Sequence, residues 1–143
     1  MNLKTRDFGT IEISQDDIVT FVQPIFGFEE YTEFVFLYDD EISEHFAWLQ
    51  SVTNPDLCFI LTSPQIACPD YRPNADKQTL SLLKGEDYEC WLVTVIHDDF
   101  SKSTVNLKSP VLVCPETRLA LQTILDDDLP IRYPFVKSGK ENV

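Results

Sequence analysis

Short apolar runs recur along the chain with turn-forming residues between them, the pattern of a protein built mainly from strands. Residues 3–6 and 9–13 bracket "DFG" as a hairpin, and in "TIEI" Ile11 and Ile13 share one face while Glu12 points the other way. "DIVTFV" (17–22), "EFVFLY" (33–38), "FAWLQSV" (46–52), "LCFILT" (57–62) and "CWLVTVIH" (90–97) follow as strand candidates. "STVNL" (103–107), "PVLVC" (110–114) and "RLALQTIL" (118–125) complete the set. Several runs are apolar on both faces, which suits a closed barrel-like sheet or sandwich in which neither face meets much water. The fold class expected is therefore all-β and mainly antiparallel.

One stretch breaks the pattern. "NADKQTLSLLKG" predicts a short helix over 75–84, with Asn74 as N-cap and Leu80 and Leu83 on one face. Lys84 stands in its last turn and Gly85 as the left-handed cap. So short a helix must pack on the sheet to persist. The prolines fall mainly between the runs, where a strand ladder loses nothing to them. A single domain is expected over 1–136, followed by a flexible polar tail over 137–143.

Charge adds the first functional constraint. Twenty-four acidic residues face eleven basic ones, a net charge of -13. Such a surface repels phosphate backbones and anionic lipid, so neither direct nucleic-acid binding nor membrane adsorption is expected. It draws basic proteins inward. The N-terminal residues contain no apolar leader, and no apolar run is long enough to span a bilayer. Cys58, Cys68, Cys90 and Cys114 form no C-x-x-C pair and read as reduced thiols of a cytoplasmic protein. No cofactor or metal motif is present.

Catalytic readings are thin. His97-Asp98-Asp99 sets an imidazole beside two carboxylates, the basis for an alternative reading as a small metal-dependent hydrolase. Neighbours on a strand point to opposite faces, however, and a charged turn is what the end of an apolar strand leads one to expect. Asp126–Asp128 lacks the Gly and Glu spacing of a calcium loop. Without G-x-S-x-G or a glycine-rich phosphate loop, a non-enzyme is expected.

Surface recognition remains. In "CPDYRP", Asp70, Tyr71 and Arg72 lie between prolines, and Tyr and Arg are common at interface hot spots; inward packing of Tyr71 is the alternative. Phe26, Phe28 and Tyr31 in "PIFGFEEYTEF" read as core anchors of a loop turned by Gly27, and Trp48 and Trp91 read as core. The second candidate turn is Asn106, Leu107, Lys108 and Ser109, where "STVNLKSPVLV" looks like one strand cut in half. Pro110 drives Ser109 out of helical conformations. Asn106 suits backbone capping at the corner, and Lys108 suits contact with a partner.

Taken in order, these segments resemble the flagellar assembly factor FliW family. "FGTIEISQDDIVTFVQPIFGFEEYTEFVFL" is similar to the family's opening, "FAWLQSVTNPDLCFILTSP" to its W-L-Q-S-V…P-D-L-x-F segment, and "PDYRP" to its acidic-tyrosine turn. "STVNLKSPVLV" resembles its T-x-N-L-x-x-P-[IV] signature and "LQTILDDDLPIRYPF" its ending. "QPIFGF" departs from the usual G-I-P-G-F, and "DDD" is more acidic than the usual turn. The resemblance implies a non-enzymatic, cytoplasmic β-barrel protein, and nothing in the sequence demands more than a monomer when free. It also implies binding of flagellin before export and of CsrA, a basic RNA-binding dimer that represses flagellin translation. An acidic scaffold with an unrelated partner is the other alternative.

Overall fold

A computed structural model describes residues 1–39, 41 and 44–134; the expected tail over 137–143 lies outside the described residues. The chain opens with a hairpin, β1 (Asn2–Lys4) and β2 (Thr10–Glu12), each strand shorter than the expected runs over 3–6 and 9–13. Its turn is held by Thr5, whose hydroxyl donates to the Gly9 carbonyl at 2.6 Å and accepts from the Phe8 amide at 2.8 Å. Gly9 has φ 67°, the left-handed conformation that glycine adopts without a Cβ clash.

The remaining strands are β3 (Ile18–Gln23), β4 (Glu33–Leu37), β5 (Phe46–Ser51), β6 (Cys58–Thr62) and β7 (Glu89–Val95). β8 (Thr104–Val105), β9 (Val111–Cys114), β10 (Leu119–Gln122) and β11 (Tyr133–Pro134) follow. Strands β7, β6, β5, β4, β3, β10 and β9 pair in that order, and β9 pairs back onto β7, closing a seven-strand barrel. Every pairing is antiparallel except β3 with β10, which run parallel with Thr20 opposite Leu119. Closure removes the exposed edges that an open sheet would carry.

The doubly apolar runs now have a reason. Val19, Phe21, Phe34, Ala47, Leu49, Leu61, Trp91, Val111, Val113 and Ala120 fill the barrel interior. The alternate residues are covered from outside. The hairpin packs Leu3 and Ile13 on Ile18 and Val35. The 63–84 segment places Ala67 and Tyr71 near Leu92, and Leu83 against Leu112, Cys114 and Leu121. Fully burying one such aliphatic or aromatic side chain contributes roughly 1.5–3 kcal/mol, so both faces of these strands stabilise the fold.

The covering segment differs in detail from expectation. It contains a helical turn that the apolar pattern does not signal, α1 (Pro64–Ala67), with Ser63 accepting from the Gln65 amide at 3.3 Å. The expected helix is α2 (Lys77–Ser81), only five residues long. Asp76, not Asn74, is its N-cap: the Asp76 carboxylate accepts from the Thr79 amide at 2.6 Å. Lys84, not Gly85, takes the left-handed conformation, with φ 55°. Gly85 is required for a different reason, since a Cβ there would collide with Cys114 Sγ.

Two aromatic expectations also change. Trp48 stands half-buried on the outer face of β5, edge-on to Phe8 at 5.2 Å, whereas Trp91 is inside the barrel. Phe28 and Tyr31 anchor their loop in the core, but Phe26 is 50% exposed. Gly27, with φ 87°, turns the backbone between the two phenylalanines.

Candidate partner-binding surface

The stretch "STVNLKSPVLV" is one strand position occupied twice. Val105 faces Thr94 of β7, and six residues later Val111 faces Trp91, only three residues back along the same strand. The surplus backbone leaves the ladder as the 106–110 loop. Asn106 stays attached by its amide, which donates to the Val93 carbonyl at 2.9 Å. Its side-chain oxygen accepts from the amides of Lys108 (2.9 Å) and Ser109 (3.0 Å), so the loop is closed by one side chain.

This loop meets the other candidate turn directly. Tyr71 is buried, and its hydroxyl donates to the Leu107 carbonyl at 2.7 Å. Burial, reinforced by the nearby Cys90, Cys68 and Asp127, holds the phenol well above its ordinary pKa, so it remains a donor. Leu107 donates its amide to the Pro130 carbonyl at 3.0 Å, and Leu125 donates to the Lys108 carbonyl at 2.8 Å. The Lys108 ammonium donates to the Asp127 carbonyl at 2.7 Å. The acidic run is thereby fastened beside the loop.

The seven candidate residues divide by exposure. The side chains of Tyr71, Leu107 and Ser109 are buried in the free protein. Asn106 is half-buried and engaged with backbone. Asp70 and Arg72 are exposed, the latter donating to the carbonyls of Pro69 (3.1 Å) and Tyr71 (2.8 Å). Lys108 is half-buried with its head group at the surface.

Beside the loop lies a groove of about 370 Å³ lined by Ile25, Phe26, Phe28, Phe59, Val93, Asn106, Ser109, Gln122 and Ile124. Gln122 braces it and escaped the sequence reading. Its amide is buried; the oxygen accepts from the Phe26 amide at 2.9 Å, and the nitrogen donates to the Ser109 carbonyl at 3.1 Å. The available signal was a lone amide inside the apolar run "RLALQTIL", because a buried amide must find partners. Gln50 plays a comparable part in "WLQSV". Its oxygen accepts from the Arg6 amide at 2.9 Å, while its nitrogen reaches the carbonyls of Pro55 (3.1 Å) and Leu57 (3.2 Å).

The metal-hydrolase reading finds no geometric support. Asp99 spends its carboxylate on Ser101, accepting from the amide at 3.1 Å and the hydroxyl at 2.6 Å. Among the described residues no group of three or more His, Cys, Asp or Glu is placed to hold a metal ion. The four cysteines are unpaired thiols, and no described helix is long and apolar enough to cross a membrane.

These features define a small closed β-barrel whose conspicuous polar residues tie loops together. Comparison with known proteins makes the class specific. The family model described as "FliW protein" matches residues 2–135, and the chain belongs to the FliW family. It is 34% identical over 144 residues to the flagellar assembly factor FliW of Caldanaerobacter subterraneus subsp. tengcongensis, covering 98% of this chain and 96% of that protein. It is 35% identical to the protein of that name from Bdellovibrio bacteriovorus, covering 100% and 83%. A crystal structure of the flagellar assembly factor FliW superposes with a TM-score of 0.90 at 31% identity, covering 97% of this chain and 99% of that one.

Proposed function

We propose that this protein is a non-enzymatic, cytoplasmic factor of flagellar assembly that binds flagellin and also binds CsrA. Flagellin and CsrA draw on one pool of the protein. Export of flagellin frees it to take CsrA off the flagellin message, and accumulation of flagellin reverses the exchange. Linked binding equilibria suffice for this switch, and no catalytic step is needed. Membership of the FliW family across residues 2–135 carries the reading.

The charge supports it. A body of net charge -13 attracts a basic RNA-binding protein and, once docked, raises the electrostatic cost of bringing RNA phosphates to the same surface. The protein itself then binds neither RNA nor membrane and acts as a monomer. Asp70, Arg72 and Lys108 are the candidate residues whose charged groups lie at the surface, those of Arg72 and Lys108 while donating to nearby carbonyls.

A three-component competition tests the reading. Added protein should release labelled flagellin messenger RNA from CsrA in a gel shift without shifting the RNA alone, and flagellin should restore the CsrA–RNA complex. A CsrA–RNA complex unchanged at excess protein would show the reading to be wrong.

A further inference from the structure

The groove bounded by Phe26, Ile124 and the 106–109 loop has the form of a docking site, and we propose that it receives a basic, apolar-tipped segment of the RNA-binding partner. This inference rests on the function proposed above and adds the surface and its chemistry. Phe26 and Ile124 are 50% and 54% exposed, on segments far apart in sequence that meet at one groove. Phe28 and Phe59 lie behind them, edge-on to each other at 5.0 Å, and continue into the barrel core. An exposed aromatic backed by a packed core is the arrangement found at interface hot spots, because the anchor has little left to order on binding.

The groove is also pre-formed. Gln122 holds the backbone of Phe26 on one side and of Ser109 on the other, and Gln23 donates its side-chain amide to the Gln122 carbonyl at 2.9 Å. Asn106 closes the loop that forms the adjoining wall. Docking there requires no new backbone conformation.

Charge selects the occupant. The segment carrying Phe26 and Phe28 runs directly into Glu29 and Glu30, and the one carrying Ile124 runs into Asp126, Asp127 and Asp128; all five acids are exposed. Over 22–30, 106–109 and 122–129 the sequence holds one cation, Lys108, whose ammonium is occupied by the Asp127 carbonyl. An apolar floor between acidic shoulders fits a segment in which an aliphatic or aromatic side chain is flanked by Lys or Arg. The acids would govern the rate and salt dependence of encounter, and the floor would govern residence.

The test measures binding of purified CsrA to the full-length protein by biolayer interferometry, for wild type, Ile124→Lys, Phe26→Ser and the double reversal Asp126→Lys/Asp128→Lys. Ile124→Lys and Phe26→Ser should each weaken binding roughly tenfold or more, mainly through faster dissociation. The double reversal, confined to exposed side chains, should slow association and flatten its salt dependence. Circular dichroism melting of each variant confirms that the barrel is intact. Wild-type binding that all three variants retain within about twofold overturns the groove alone. A wild-type protein that does not bind CsrA overturns the proposed function and the groove with it. A wild-type dimer that Ile124→Lys converts to monomer makes the groove a self-interface and also overturns the proposal.

Discussion

The Tyr71 hydroxyl donates to the Leu107 carbonyl at 2.7 Å, joining two turns that stand 36 residues apart in sequence. The bond lies in a buried setting, where the carbonyl has no water to fall back on. Tyr71→Phe keeps the ring and removes the donor. It should lower unfolding free energy by about 1–2 kcal/mol in urea titrations. An unchanged midpoint would mean that the bond contributes nothing net.

Asn106 supplies a sharper case, because one atom holds two amides. Asn106→Ala leaves the Lys108 and Ser109 amides without their acceptor and should cost about 1–3 kcal/mol. Asn106→Asp keeps an acceptor in place and should recover most of that loss at neutral pH. If Asp proves as damaging as Ala, the side chain serves packing and not the backbone.

Raising the pH should destabilise the protein. Burial pushes the Cys90 thiol up to about 12 and the Cys58 thiol up to about 11, and it raises the Tyr71 phenol as well. In the unfolded chain a thiol ionises near 8.5, so above that pH the unfolded state has lost protons that the folded state retains. The stability from keeping these groups neutral is complete below the unfolded pKa and is lost as pH climbs through the folded values. Denaturation midpoints should fall steadily from about pH 9 to about pH 11. A midpoint that stays flat over the alkaline range would contradict this.

Much of the strand pattern was legible because alternation and proline breaks act locally. The β-rich class, the strands and the covering helix all follow from residues close in sequence. The doubly apolar runs signalled a closed barrel-like sheet or sandwich, but not the pairings that close it. One of them is the parallel pairing of Thr20 with Leu119, and nothing in either run specifies a partner so distant. The helix cap shows a smaller failure of the same kind: Asn74 and Asp76 are both able caps, and only the carboxylate's reach to Thr79 decides between them. In the candidate site, residue type marked Asn106 as suited to backbone capping and left Tyr71 open between partner contact and inward packing. It could not reveal that Tyr71 points inward onto Leu107, since that contact depends on how the 63–84 segment lies over the barrel.

Gly85 yields a prediction from shape alone. Its hydrogen faces Cys114 Sγ, and the Cys114 side chain is fully buried between Leu83, Leu112 and Leu121. Gly85→Ala should therefore destabilise by about 1–3 kcal/mol through overpacking. Cys114→Ala opens room, so the double variant should lose less than the sum of the two single losses. Strict additivity in the denaturation data would show that the two sites do not touch.

Gln122 carries the last prediction, because its two ends have opposite requirements. The oxygen must accept from the Phe26 amide, and the nitrogen must donate to the Ser109 carbonyl. Gln122→Ala removes both and should cost roughly 2 kcal/mol or more. Gln122→Glu preserves the acceptor but, when ionised, turns a buried carboxylate toward a carbonyl, which is unfavourable both in solvation and in charge. The protonated acid can do what the amide does, accepting with one oxygen and donating with the other. The folded state should therefore raise this carboxyl above its unfolded value of about 4.3, and Gln122→Glu should gain stability relative to wild type as the pH falls from about 7 toward 4. The same titration of Gln122→Ala should show no such recovery. If the two variants respond to pH alike, Gln122 does not brace the groove through both ends of its amide.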